Sequence, residues 1–448
     1  MYLLAPVFPD RYNGKVSNPG SGSQSKVKSL LANQQAMQGR DTALATETQA
    51  GTEVRRGQRG VMAVILGSLT ALAPLSIDMY LPALPLLTRD LHASPATVQL
   101  SLTFCLLGLA FGQLIAGPVS DARGRRGPLL VGLAVYALAS VLCAFTASVW
   151  LLIGLRFLQG LAGAAGIVIA RAVARDRYAG LELTRFYALL MLVNGAAPVL
   201  APVIGGQVLR FTRWHGVFVV LAALGAAMWL GVAAGLPETL PRERRSASGI
   251  RPILSTFGGL LRDGVFLGYV VTQSLVFAAM FAYISGSSFV FQEAYDVTPQ
   301  AYSLIFAANG MGIVLAGQVT ARLAPRFGER KLLTAGVMTA AGGGLTLALT
   351  LTLHLPVFAV VPPLFVAIAS VGMVSTSSMS LAMQRYGHAA GSASALLGVC
   401  QMTMGALVAP LPGLGGADAG PAMGWTVAAC DLAAALCIVW LIRMRTAR

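Results

Sequence analysis

Long apolar runs alternate with short polar connections over most of this chain. Runs of roughly twenty residues fall at 61–83, 97–116, 128–147, 149–170, 186–209, 215–236, 264–286, 301–321, 332–352, 356–379, 389–411 and 422–442. About twenty apolar residues in a helix cross the hydrocarbon core of a bilayer. Only helices and closed barrels satisfy their backbone there. The pattern therefore predicts an all-α polytopic membrane protein with twelve transmembrane helices. The longest polar connection within the bundle, residues 237–263, divides them into two six-helix bundles, 60–236 and 264–443. Residues 1–59 are rich in Ser, Gln, Gly, Thr and Ala and hold no apolar run long enough for a signal-peptide core. They read as a disordered cytoplasmic tail or as a stretch ahead of the true start. Residues 444–448 form a short second tail.

Composition and charge sharpen this reading. Hydrophobic residues make up 56% of the 448 and charged ones only 11%, against about 25% in soluble domains. From Arg55 onward, 23 Lys and Arg fall on one side of a twelve-span arrangement and only Arg89, Arg210 and Arg213 on the other. Cationic loops stay in the cytoplasm, so both termini and the 237–263 loop are expected there. The net charge of +15 is a topology signal and calls for no nucleic-acid partner. The five cysteines (Cys105, Cys143, Cys400, Cys430, Cys437) all lie in apolar runs and suggest neither a disulfide framework nor a metal site.

Few polar residues interrupt the spans. Asp78 lies in the first run, among Pro74, Pro82 and Pro85, which weaken the helix. An acid in a spanning helix is expensive unless it faces a wet cavity, where it is stable with a proton bound. Asp78 is thus a candidate proton carrier. Arg156 in the fourth run stays charged when buried, so it requires a carboxylate or a water-filled cavity. In the fifth run Pro198 and Pro202 kink the helix, and Gly205 and Gly206 permit close packing. Tyr80, Phe104, Gln113, Asn194, Gln273, Phe277 and Asn309 are candidate cavity residues; Gln273 and Phe277 share one helical face. Asp431 in the last run is a second intramembrane acid without an obvious role.

The connection between the second and third runs carries the most specific pattern: Gly117, Asp121, Arg123, Gly124, Arg125, Arg126 and Gly127. It resembles the signature loop of the major facilitator superfamily. A degenerate echo follows the eighth run, where Gly317 aligns with Gly117 and Ala321 stands in place of the Asp. Arg156-x-x-Gln159-Gly160 resembles the superfamily motif whose Arg is associated with proton transfer. The 194–206 segment resembles the antiporter motif of drug exporters, with Ala201 replacing a Gly. Residues 78–85, 236–240 and 390–398 resemble the bicyclomycin/chloramphenicol-resistance branch of drug:proton antiporters.

The resemblance implies two pseudo-symmetric six-helix bundles working by alternating access, with the 117–127 loop as a conformational latch. In that latch Asp121 pairs with an Arg or with a helix N-terminus. It implies export of small amphipathic antimicrobial compounds across a bacterial inner membrane. The proton is the coupling ion, with no other cofactor, no metal and no obligate protein partner. A metabolite exporter or an uptake symporter of the same fold is the alternative. A membrane enzyme or sensor is a remote one, since no nucleophile–base cluster or P-loop appears.

Overall fold

A computed structural model of the protein describes residues 60–178, 180–245, 258–385 and 390–446. The expected tail at 1–59 and the middle of the 237–263 loop lie outside these residues. Among the described residues, twelve helices are long and apolar enough to cross a membrane. They are α1 (Gly60–Asp90), α2 (Pro95–Arg123), α3 (Arg126–Phe145), α4 (Val149–Arg177), α5 (Gly180–Phe211) and α6 (Trp214–Gly235). The second set is α7 (Gly264–Phe289), α8 (Pro299–Phe327), α9 (Glu329–Thr352), α10 (Val357–Arg385), α11 (Ala390–Val408) and α12 (Ala419–Thr446). The described residues from Met62 onward pack as one compact unit.

α2 and α8 outrun their apolar windows, and polar side chains cap their starts. Ser94 accepts a hydrogen bond from the Thr97 amide, and Thr298 does the same for Ala301. Pro95 and Pro299 follow at the first helical position, where a missing N–H costs nothing. Outward faces stay apolar: α3 leaves Val131, Leu138 and Phe145 exposed at seven-residue spacing. A stripe of that kind suits lipid rather than water.

Helix pairing repeats between the two sets. In the first, α2 packs on α4 and α3 on α4 and α6; in the second, α8 packs on α10 and α9 on α10 and α12. Glycines let the closest pairs touch. A Cβ on Gly108 of α2 would come within 2.8 Å of the Leu161 amide nitrogen in α4. A Cβ on Gly372 of α10 would come within 2.9 Å of the Gly317 nitrogen in α8. Between the sets, α2 meets α11 and α5 meets α8. Four hydrogen bonds between described residues join the two sets. All four lie at the end of the bundle that carries the α1–α2 and α7–α8 connections, so that end is closed.

Candidate functional site

The site is built on a break in α1. Pro82 has no N–H for the Asp78 carbonyl and Pro85 none for that of Leu81, so two helical hydrogen bonds are lost within one turn. The helix stops at residue 78, the chain turns at 79–80, and a short 3₁₀ segment, Leu81–Ala83, leads into Leu84–Asp90. The sequence predicted a weakened helix; the structure has an interruption. Gly205 of α5 presses on it so closely that any Cβ would overlap the Met79 carbonyl. The Leu81 carbonyl accepts a hydrogen bond from Ser288 Oγ of α7 at 2.7 Å.

Asp78 therefore ends a helical segment inside the bundle. It is buried, and its Oδ1 has no hydrogen-bond partner. No ion pair among the described residues includes it. It lies within electrostatic reach of Tyr283 and Tyr302 in the second set. The Tyr283 hydroxyl accepts from Asn309 Nδ2 at 3.0 Å, and its ring stacks on Phe306 with centroids 5.3 Å apart. The Tyr302 and Ser287 hydroxyls are 3.0 Å apart. One carboxyl thus lies in the neighbourhood of a neutral group of hydroxyls, an amide and aromatic rings. Of the predicted cavity residues, Asn309 belongs to this group. Tyr283, Tyr302 and Ser287 escaped sequence reading because phenols and hydroxyls are ordinary in apolar helices.

Arg156 is fully buried, but it has found neither the carboxylate nor the cavity that its charge seemed to require. Nη2 donates to the Ser76 carbonyl at 2.9 Å, and Nη1 donates to Gln159 Oε1. The guanidinium carbon stands 4.5 Å from the centre of the Tyr80 ring and 5.8 Å from that of Phe218. Cation–π contact and carbonyl dipoles replace an anion. Gln159 then donates to Ser140 Oγ at 2.7 Å. Arg156 consequently holds the chain on both sides of Asp78, at Ser76 and at Tyr80, without touching the acid. Tyr80, predicted for the cavity, is instead core: it is fully buried and its hydroxyl bonds Ser101 at 2.6 Å.

The 117–127 loop forms a second polar cluster. Gly124 ends α2 at φ 95°, where a Cβ would also crowd Glu238 and Arg245. Arg125 then turns inward. Its Nη1 donates to Asp121 at 2.5 Å and to Ser120 Oγ at 2.8 Å, and its Nε donates to Asp176 of α4 at 3.0 Å. Asp121 thus pairs with an Arg of its own loop and not with a helix N-terminus. Glu238, just beyond α6, accepts the Arg125 and Arg126 amides at 2.8 and 3.3 Å and so caps α3. Partial burial alone would raise the Glu238 pKa. The amides of Leu240, Arg125, Arg126 and Thr239 outweigh that and hold it below its ordinary value. Arg126 Nη2 donates to the Ala233 carbonyl at 2.6 Å, while Arg123 is exposed. Gly117 rests on Val168 of α4. Asp176 and Glu238 were missed as partners, since sequence spacing does not show which helix ends converge.

The remaining residues scatter. Pro198 and Pro202 lie inside an unbroken α5, and Gly160 packs against the Cys105 carbonyl of α2. Gly206 faces Ser303 of α8. Phe104 and Asn194 are exposed, and Gln113 lies near Gly398 of α11. Gln273 is buried with Oε1 unpartnered, one turn from Phe277, which packs on Phe281. Asp431 is buried on the α9–α12 contact, its Oδ1 unpartnered, opposite Gly344. The five cysteines are free, and no metal-binding cluster occurs among the described residues.

Twelve apolar helices, a partnerless acid at a helix break and a braced polar loop describe a membrane transporter, not an enzyme. The chain belongs to the Major Facilitator Superfamily, whose family model matches residues 66–410. It is 43% identical over 366 residues to the uncharacterized MFS-type transporter YdgK of Bacillus subtilis, covering 81% of this chain and 91% of that one. It is 30% identical over 381 residues to the bicyclomycin resistance protein homolog of Haemophilus influenzae, covering 85% and 96%. Its fold matches the xylose transporter XylE from E. coli with TM-score 0.64 at 14% identity, covering 84% of this chain and 96% of that one.

Proposed function

We propose that the protein exports small amphipathic antimicrobial compounds in exchange for protons, across a bacterial inner membrane, with both termini cytoplasmic. The observation that carries this reading is Asp78: a buried, partnerless carboxyl at a helix break. Such a group binds a proton when enclosed and releases it when water reaches it. Alternating access supplies that change of surroundings. Arg156 holds Ser76 and Tyr80, so it positions the break around the acid. The drug reading draws support from the bicyclomycin resistance protein homolog among the relatives.

The test is substrate-induced proton release from reconstituted protein, with substrates chosen by a susceptibility panel on cells with and without the protein. Asp78→Asn should still bind substrate, because an amide imitates the protonated acid, but should lose uphill efflux driven by a pH gradient. Proton release equal to the parent's would place coupling elsewhere. Arg156→Lys should also be damaging, because an ammonium cannot reproduce the planar fork or the ring stacking. Sidedness is tested by impermeant cysteine labelling in intact cells: position 296 should react and position 245 should not.

A further inference from the structure

The closed end of the bundle is fastened by two related glutamine–glycine contacts. Gln99, in the second turn of α2, is fully buried and uses both ends of its amide. Nε2 donates to the Ser285 carbonyl of α7 at 3.0 Å, and Oε1 accepts the Gly413 amide at 2.9 Å. Gln300, in the first turn of α8, donates Nε2 to the Gly206 carbonyl of α5 at 3.1 Å. Each glutamine opens the second helix of one half, and each glycine lies at the end of the fifth helix of the other. Both glycines permit backbone contact. A Cβ on Gly413 would stand 2.7 Å from the Ala96 nitrogen, and one on Gly206 would stand 3.4 Å from the Pro299 carbonyl.

The end of α11 explains why Gln99 matters more. The helix stops at Val408. Continued, it would bond the Gly413 amide to the Ala409 carbonyl four residues back. Instead that carbonyl accepts Ser285 Oγ at 2.6 Å from within its own half, and the amide is left to Gln99 from the other half. A buried helix end must find such partners. The Gly413 amide is an N-terminal donor of the 3₁₀ segment Pro412–Asp418, so joining the halves completes the cap of that segment and opening this end removes it. Two further contacts cross here: Ser288 Oγ donates to the Leu81 carbonyl at 2.7 Å, and Arg89 and Glu293 stand 3.7 Å apart at the surface.

We infer that Gln99 is the positioning residue that holds this end of the transporter shut, by capping the N-terminus of the 3₁₀ segment Pro412–Asp418 across the interface, with Gln300 as its lesser counterpart. This rests on alternating access but needs no substrate, so failure of the drug-export reading would leave it standing. The test is hydrogen–deuterium exchange, read by mass spectrometry, on the full chain in lipid nanodiscs. In Gln99→Leu the peptide spanning 409–418 should exchange about tenfold faster, the loss of roughly one to two hydrogen bonds. Peptides within α3 and α6 should not change. Gln300→Leu should give a smaller rise, confined to the ends of α5 and α8. Unchanged exchange at 409–418 in Gln99→Leu would overturn the assignment. If Gln99→Leu speeds exchange throughout the chain, Gly413→Ala decides. Its methyl group blocks the same approach from the other side and should reproduce the local rise; no rise there would overturn the inference as well.

Discussion

The loops after α2 and α8 share a backbone and differ in their chemistry. Both helices run for 29 residues from a Ser or Thr cap to a glycine with positive φ, Gly124 at 95° and Gly328 at 82°. Counting from those glycines corrects the register read from the sequence. The counterpart of Asp121 is Pro325, not Ala321; that of Ser120 is Ala324; and that of Arg125 is Glu329. The second loop has thus lost the residues that hold an arginine, and the arginine as well. Yet one contact survives with its polarity reversed. α4 and α10 are also 29 residues each, which puts Gln384 where the first half has Asp176. Glu329 accepts Gln384 Nε2 at 2.6 Å and Ser380 Oγ at 2.5 Å. In both halves the start of the third helix is pinned to the end of the fourth. Only the first half does so with a buried cation between two acids. The difference teaches that the pin is architectural, whereas the charge is added to one half.

Removing the cation should break the comparison most severely. Arg125→Leu takes the guanidinium from Asp121, Asp176 and Ser120 and is expected to destabilise the first half by about 3 kcal/mol, the order seen when one member of a buried pair is lost. Thermal unfolding in nanodiscs measures it, and a change below that of Glu329→Gln would refute the asymmetry. Asp121→Asn should come next. It keeps the size of the side chain while weakening a charge-assisted bond of about 1.5–3 kcal/mol. Normal insertion with lost transport is expected; full transport would reduce Asp121 to a solvated loop residue.

Glu238 separates the loops by pH. Its pKa is lowered in the folded protein. The stability it contributes is therefore present above its unfolded pKa and lost as pH falls through the lower folded value. Protease susceptibility of the first loop should rise on acidification in the parent protein, and Glu238→Gln should flatten that dependence. An equal acid response in the Gln variant would assign it to another group. Glu329→Gln should have the smallest effect. The amide oxygen still accepts from Ser380 or Gln384, so melting should change by less than about 1 kcal/mol.

Much of this was legible in the chain because lipid imposes one-dimensional rules. Twelve apolar runs gave twelve helices, α1 is interrupted where Pro82 and Pro85 lack an amide N–H, and Asp78 was costly enough to stand out. The glycine of the 117–127 loop could be read because only glycine tolerates that φ beside a crowded carboxylate. What the linear pattern could not contain was convergence. Arg156 sought an anion in the sequence and found a carbonyl and a tyrosine ring, because burial against α1 and α6 supplied dipoles and a π face that no motif announces. Asp176 and Glu238 reached Arg125 only because α4 and α6 end at the same level as the loop. Gln99 is an ordinary amide in an apolar helix until the 3₁₀ segment after α11 is brought against it. Composition and periodicity decided which segments cross the membrane. The tertiary structure decided which polar groups meet inside it, since hydrogen-bond partners are fixed by helix ends that lie far apart in sequence.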